Sequence, residues 1–452
     1  MPKKTPTANC QLSTSVSKVS LWIFLGLLAY MPLHIFLSTW LGSSFGVLEF
    51  AKVAKDGVLV VGFLCALAVS LRQEWFKTLL HDKLVWLITA YTALTLLIAL
   101  LRPTDQDAEV LGVVYNTRFL LFFLHGVLLA RLFSVKKLQS LAIKTVLWTG
   151  VVVVLFGILQ YFVLPNSALN HFGYSRGNGV LPAFFIDDKP NLERVMSTIR
   201  EPNSLGSYLI IIITLLLGVF TYAKSKRQQQ LFTLYIAFAG LCLWLTFSRG
   251  AVIGLVAAIG TFLLLGDNWL RTAIVRHKSK IVAATIVGAL VIVTGVFMAR
   301  DTYLVQNVIF HADQSTVLED PNQLRIRFWQ ESVVAISLVP EGTGPGTAGL
   351  ASIRNDTQGT ILNENYYLQI GTEVGILGLA LFLTILFVMA RRLYWLRPNP
   401  LALALLASFV GLAVTSMLIH TWSNEAVTYT WWGLAALALA PKLIKAKKAQ
   451  TL

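Results

Sequence analysis

LFTLYIAFAGLCLWLTFSRGAVIGLVAAIGTFLLLG, residues 231–266, carries one charge, Arg249. Its two halves, 231–248 and 250–266, are each apolar enough and about long enough to cross a bilayer as helix. They meet with almost no loop at Ser248-Arg249-Gly250. The same pattern fills the rest of the chain. Hydrophobic residues make up 56% of 452 and charged residues 13%, against about 25% charged in a typical soluble domain. With a mean hydropathy of +0.68, the composition predicts an all-α, polytopic integral membrane protein. About twelve apolar runs are spaced for spans, near 19–41, 54–71, 84–101, 111–131, 145–164, 204–223, 231–248, 250–266, 280–299, 365–390, 401–420 and 425–441. The first is too long for a signal-peptide core and lacks a small-residue cleavage site, so it reads as an uncleaved span. Cys10, Cys65 and Cys242 suggest neither a disulfide framework nor a metal site.

Charge gives the topology. Of 37 Lys and Arg residues, 24 fall in segments on one alternating side, 16 Lys and 8 Arg. The other 13, on the opposite side or within spans, are 3 Lys and 10 Arg. The Lys-rich side holds only Glu74, Asp82 and Asp267 as acids, for a net +21, and the remainder nets −6. By the positive-inside rule the Lys-rich side, with both termini, is cytoplasmic. The overall +15 is therefore topological, and a nucleic-acid partner is excluded. The implied layout is a first bundle over 1–164, an outward loop at 165–203, spans over 204–299, a large outward loop at 300–362, and the last spans with a basic tail over 363–452.

Both loops exceed the length of simple connections, which marks them as functional or internally structured. In the second, Asn322–Leu338 (NQLRIRFWQESVVAISL) follows Asp320-Pro321 and predicts a short helix at the outer surface. The turn Pro340-Glu341-Gly342-Thr343-Gly344-Pro345-Gly346 must end it. That turn fits no nucleotide-binding fingerprint; it reads as one allowing close backbone approach.

Seven of the ten outward or intramembrane Arg lie in the two loops. Planar guanidinium grips phosphate and carboxylate bidentately. Arg249, at the meeting of two spans, reads as an anion clamp at the membrane boundary, against the plainer reading of a snorkelling side chain. Arg325 stands four residues before Trp329 on one helix face, whereas Arg327 points about 200° away. Arg325 is the candidate, and Arg327, Arg300 and Arg354 are bystanders. Arg194 and Arg200 are secondary candidates, with salt bridges to Asp187, Asp188, Glu193 or Glu201 as the competing reading. Arg118, inside the fourth span, would face either ligand or a buried carboxylate.

Glu364-Asn365-Tyr366-Tyr367 opens the tenth span, and Asn365, Gln369 and Glu373 continue it as a polar line every four residues. Glu364 at the mouth could act as general base and Glu373 could orient Arg118 or Asn365. His171, His311 and His420 stand alone, so no metal or cofactor is expected.

The order of these pieces resembles the O-antigen ligase and O-antigen polymerase superfamily of bacterial envelope glycosyltransferases. The residues that carry it are Arg194…Glu201-Pro202-Asn203-Ser204, Ser248-Arg249-Gly250-Ala251, Arg325-x-x-x-Trp329 with Gly342–Gly346, and Glu364-Asn365-Tyr366-Tyr367-Leu368…Glu373-x-Gly375, strongest over about 190–390. The resemblance implies a GT-C-like, metal-independent, inverting enzyme of the bacterial inner membrane. Its donor would be a glycan on undecaprenyl pyrophosphate, its acceptor a glycan or lipid, and its possible partners a flippase and a chain-length regulator. Carried over by motif, Arg249 and Arg325 hold the pyrophosphate with Arg194 or Arg200 assisting. Glu364 is the base, and Asn365 and Tyr366 position the acceptor. Ligases typically carry His-Asn where this chain has Glu364-Asn365, which tilts the expectation towards a polymerase, with ligase as the alternative. A transporter or lipid-linked-sugar flippase is the rival from another class, although the halves show no repeat. A non-catalytic scaffold is a third.

Overall fold

The structure, a computed structural model, describes residues 8–186, 189–223, 225–266, 321–355 and 363–445. Ser15–Ser44 forms the first apolar unit, helices α1 (Ala8–Tyr30) and α2 (His34–Ser44), joined by a single 3-10 turn that contains Pro32. Then come α3 (Leu48–Ser70), the short α4 (Trp75–Leu80), α5 (Lys83–Leu101), α6 (Gln106–Leu132) and α7 (Val135–Phe162). After the first outward loop follow α8 (Pro202–Phe220), α9 (Lys226–Leu245) and α10 (Arg249–Leu265). The last set is α11 (Pro321–Leu338), α12 (Tyr366–Trp395), α13 (Pro400–Thr415) and α14 (Glu425–Lys445).

Among the described residues, 7 helical units are long and apolar enough to cross a membrane: Ser15–Ser44, α3, α5, α6, α7, α8 and α12. Helices α10 and α13 are apolar but shorter, and α9 and α14 occupy two further expected positions. The fold is thus a polytopic helical membrane protein. The expected span near 280–299 lies outside the described residues, and the count of twelve is left untested by the rest. The helical reading needs one addition. Phe184–Ile186 and Lys189–Arg194 pair as a two-stranded antiparallel hairpin, β1 and β2, within the first outward loop.

Packing brings the outer ends of α8, α10, α12 and α13 together. Helices α10 and α13 approach through small residues, the usual basis of close helix contact without a hydrophobic drive between spans. A methyl on Gly254 would lie 2.9 Å from the Gly411 carbonyl oxygen. Beneath them a fully buried aromatic set, Trp422, Trp431, Trp432 and Phe119, fills the centre. The Trp431 indole donates to the Leu405 carbonyl at 3.1 Å, so its one donor is not orphaned.

The Gly-rich turn does more than end α11. Residues 342 and 344–349 are buried, and the turn packs into a break in α12. At Gly375 (φ 78, ψ −179) the helix is interrupted, and the carbonyls of Thr372 and Glu373 accept instead from Thr343 N (2.8 Å) and Gly344 N (3.1 Å). Ile376 N donates to the Pro340 carbonyl at 2.9 Å. Irregular backbone in a membrane protein is tolerated where protein satisfies its polar groups, and here two irregular segments satisfy each other.

Candidate functional site

Among the described residues three non-glycine residues hold positive φ: Ser197 (54°), Phe247 (49°) and Glu364 (44°). Each falls in one of the three segments that carry the candidate Arg and Glu. Such conformations cost of order 1–3 kcal/mol each and persist only where the surroundings over-determine them. The surroundings do so at Ser197. Gln160 Oε1 accepts from Ser197 N at 2.8 Å and Met196 N at 3.3 Å, and Ser197 Oγ donates to the Val153 carbonyl at 2.6 Å. Val195 N donates to the Leu245 carbonyl at 3.0 Å, tying the loop to the end of α9.

This clamp presents Arg194. Its Nε donates to the Thr246 carbonyl (3.0 Å) and its Nη2 to Asn203 Oδ1 (2.8 Å). The salt bridges raised as its competing reading do not form with the described acids: Glu193 accepts from Gln160 Nε2 at 2.9 Å and Glu201 from Ser204 Oγ at 2.7 Å. Asp187 and Asp188 lie outside the described residues. Burial lowers the Arg194 pKa, Glu201 opposes that shift, and the like charge of Arg249 reinforces it. Arg194 and Arg249 are therefore electrostatic neighbours, although 55 positions separate them in the chain. Arg249 opens α10, whose Ser248 cap accepts from Ala251 N at 3.4 Å and whose first turn holds no acid. A cation at a helix N-terminus works against the macrodipole. Two guanidinium groups and a helix N-terminus together make a strong anion-attracting field. Burial also pushes the Glu193 carboxyl up, partly offset by Gln160. Arg200 forms no ion pair with any described residue.

The second constellation joins two residues that the sequence left apart. Arg325 Nε and Nη2 both donate to Glu364 Oε2, at 2.8 and 2.7 Å. The side chains are 26% and 42% exposed, so the pair opens to the outside. Asn363, which sequence reasoning missed, fixes it: Nδ2 donates to Ser332 Oγ on α11 (2.8 Å), and Oδ1 accepts from Gly349 N (3.2 Å). The signal available was the run Asn363-Glu364-Asn365 itself, three polar residues at a helix entry. On the other side Asn365 caps α12, accepting from Tyr367 N (3.0 Å) and Leu368 N (3.2 Å). The two constellations meet through the α13–α14 connection. Tyr366 N donates to the Ser416 carbonyl at 2.9 Å, and Leu418 lies 3.3 Å from where a methyl on Gly250 would sit.

Several expected roles change. Tyr366 is fully buried and packs on Phe382 with ring centroids 5.6 Å apart, so it is a core residue and does not reach an acceptor. Asn365 is occupied as a cap. Glu373 orients neither Arg118 nor Asn365. Fully buried, it accepts from Asn116 Nδ2 (2.7 Å), Gly346 N (2.9 Å) and Ala348 N (3.4 Å), fastening the Gly-rich turn to α6 and α12. The polar line on α12 does face inward: between Asn365 and Glu373, Gln369 Oε1 meets His420 Nδ1 at 3.0 Å, so His420 does not stand alone. Arg118, 3% exposed, takes the buried-carboxylate role, lying 3.1 Å from Glu425 and 3.9 Å from Asp56 and donating to the Ser423 carbonyl at 2.7 Å. Lys55 completes this network, 3.3 Å from Asp56 and 3.8 Å from Glu425. Arg327 and Arg354 pair with Glu331 (3.6 Å) and Glu49 (3.5 Å), as bystanders would. Arg300 and His311 lie outside the described residues.

Removing one member of a buried pair leaves an uncompensated charge, at a cost of about 3–5 kcal/mol. Arg118→Ala is therefore expected to lower the thermal midpoint of the purified protein sharply, and Lys55→Ala less so because Arg118 still neutralises Glu425. Equal, small shifts for both would show that the network is not held as described.

Residues 232–383 match the family model for O-antigen ligase. Over that stretch, about a third of its length, the chain is similar to O-antigen ligase. No curated protein matches it. The matched stretch runs from α9 through the first half of α12 and takes in Arg249, Arg325, Asn363, Glu364, Asn365 and Glu373. It starts after Arg194 and Arg200 and well after Arg118. Of these, Arg194 reaches the matched stretch through the Thr246 carbonyl.

Proposed function

We propose that the protein is a membrane glycosyltransferase that transfers or polymerises a glycan carried on undecaprenyl pyrophosphate at the outer face of the inner membrane. The observation that carries this reading is Arg194 held on the Thr246 carbonyl just before Arg249 opens α10, with the α13–α14 connection linking that end to the Arg325–Glu364 pair at the mouth of α12. An acceptor hydroxyl oxygen attacks the anomeric carbon of the donor sugar, the bond from that carbon to the pyrophosphate oxygen breaks, and the configuration inverts. Arg249 and Arg325 stabilise the charge developing on the leaving group, where preorganised cations contribute most. Arg194, tied to Asn203 and Thr246, supports Arg249 as a second cation. Glu364 takes the acceptor proton. Its contact with Arg325 couples the two events: an arriving pyrophosphate competes for the guanidinium, and a carboxylate released from a guanidinium becomes a better base.

The match to O-antigen ligase favours lipid A–core as acceptor, whereas Glu364 in place of a ligase His favours a second lipid-linked repeat unit. Purified protein supplied with lipid-linked repeat units and each acceptor in turn separates the two. A ladder of longer lipid-linked chains identifies a polymerase and glycosylated lipid A–core a ligase. Absence of both products, with donor and folded protein verified, would refute the proposal.

A further inference from the structure

We propose that the protein holds an anionic diacyl phospholipid in a groove on its Lys-rich side, far from the α10 and α12 mouths. The groove has a volume of about 820 Å³ and lies between α7, α8, α9 and the start of α13. Its wall on α7 extends from Lys136 to Leu155, about 28 Å at 1.5 Å per residue, which accommodates an extended acyl chain. The chemistry is graded along that length. Lys136, Tyr222 and Asn399 line the end where α7 and α13 begin and α8 finishes, Lys144 follows about 12 Å further along α7, and the remaining length is walled largely by aliphatic and aromatic side chains such as Val151, Leu216 and Phe238. Among the described residues no acidic side chain lines the groove. Lys136 and Lys144 are exposed and form no ion pair with any described residue, whereas the buried cations of the bundle are matched by carboxylates. An amphiphile with a net negative head and long apolar tails fits this gradient, and a zwitterionic head fits it less well because its own cation offsets its phosphate.

The lysines share the groove face of α7, eight residues apart, so one headgroup phosphate can lie between them. Juxtamembrane lysines contribute about 1 kcal/mol each towards anionic lipid, so losing both corresponds to about 30-fold in affinity. The test uses full-length protein purified in detergent and titrated with dioleoyl phosphatidylglycerol or dioleoyl phosphatidylcholine, with the thermal midpoint as readout. Phosphatidylglycerol is expected to stabilise saturably at concentrations where phosphatidylcholine does nothing. Lys136→Gln/Lys144→Gln should bind it about 30-fold more weakly while keeping the lipid-free midpoint. Val151→Trp, which fills the groove and spares both lysines, should weaken it as well. Equal stabilisation by the two lipids, an unchanged affinity in the double variant, or displacement of phosphatidylglycerol by equimolar undecaprenyl phosphate would each overturn the assignment. The readout is binding alone, so it stands apart from the transfer assay.

Discussion

Arg249→Ala and Arg325→Ala are each expected to lower glycan transfer by about 100-fold or more at unchanged protein level, the scale of removing one preorganised donor from a developing negative charge. The defect should lie in turnover more than in donor affinity, because the charge on the pyrophosphate grows as the glycosidic bond breaks. Lysine keeps the charge and loses the planar fork, so Arg249→Lys and Arg325→Lys are expected to fall within about tenfold of the alanine variants. Folding should survive at position 325, since Glu364 is 42% exposed and water can solvate it once its partner is gone. Polymer or ligated product at wild-type rates from both alanine variants, quantified per mole of purified protein, would remove guanidinium from the mechanism.

Gly346→Ala is expected to be the most damaging methyl addition outside the candidate site. Gly346 sits at φ +87, and a Cβ there would overlap the Ala108 carbonyl on α6. Gly112 makes the reciprocal approach, since a methyl on it would overlap the Gly346 amide. Backbone of one α6 turn and backbone of the Gly-rich turn thus lie against each other where side chains would go, and neither can retreat while Glu373 holds Gly346 N at 2.9 Å. Strain at positive φ and overpacking each contribute about 1–3 kcal/mol, so Gly346→Ala should lose most of its monodisperse, folded fraction on detergent extraction. Gly260→Ala on α10 is the control: no atom lies within 4 Å of its added Cβ, and a helical Gly→Ala exchange there should be neutral or slightly stabilising. Similar midpoints for the two variants, read by size-exclusion profile and thermal shift, would mean that the turn is not seated against α6.

What the sequence made legible follows from what a bilayer demands of a chain. A span must be apolar over its whole length, so α3, α5 and α12 announce themselves, and alternating Lys-rich segments set the sidedness expected of them. Helix α11 was legible from Asp320-Pro321 at its start and Pro340 at its end. So was the shared face of Arg325 and Trp329, because four residues return the helix to the same side. Pairings between distant segments were not. Arg325 and Glu364 are 39 residues apart, and Glu373 and Gly346 are 27 apart; nothing local to either residue encodes its partner. The sequence identified Glu373 as a buried carboxylate and offered it a cation, but its partners are the Asn116 amide of a distant helix and two backbone amides, which no residue type advertises. Tyr366 was misread for a related reason. Its position beside Glu364 suggested the mouth of the site, whereas consecutive residues at a helix entry point in different directions, and Tyr366 points at Phe382. The hairpin of the first outward loop was too short to register as a strand pattern.

The central claim is that outward guanidinium groups hold a pyrophosphate while it leaves an anomeric carbon. It is tested most directly by following purified protein in sealed vesicles without any ion or voltage gradient, supplied on the outside with donor and acceptor. The account predicts that each new glycosidic bond appears together with one molecule of free undecaprenyl pyrophosphate, that the bond carries the inverted anomeric configuration, and that both products vanish together in Arg249→Ala. Movement of intact donor across the bilayer with no new bond would contradict it and would favour a transporter.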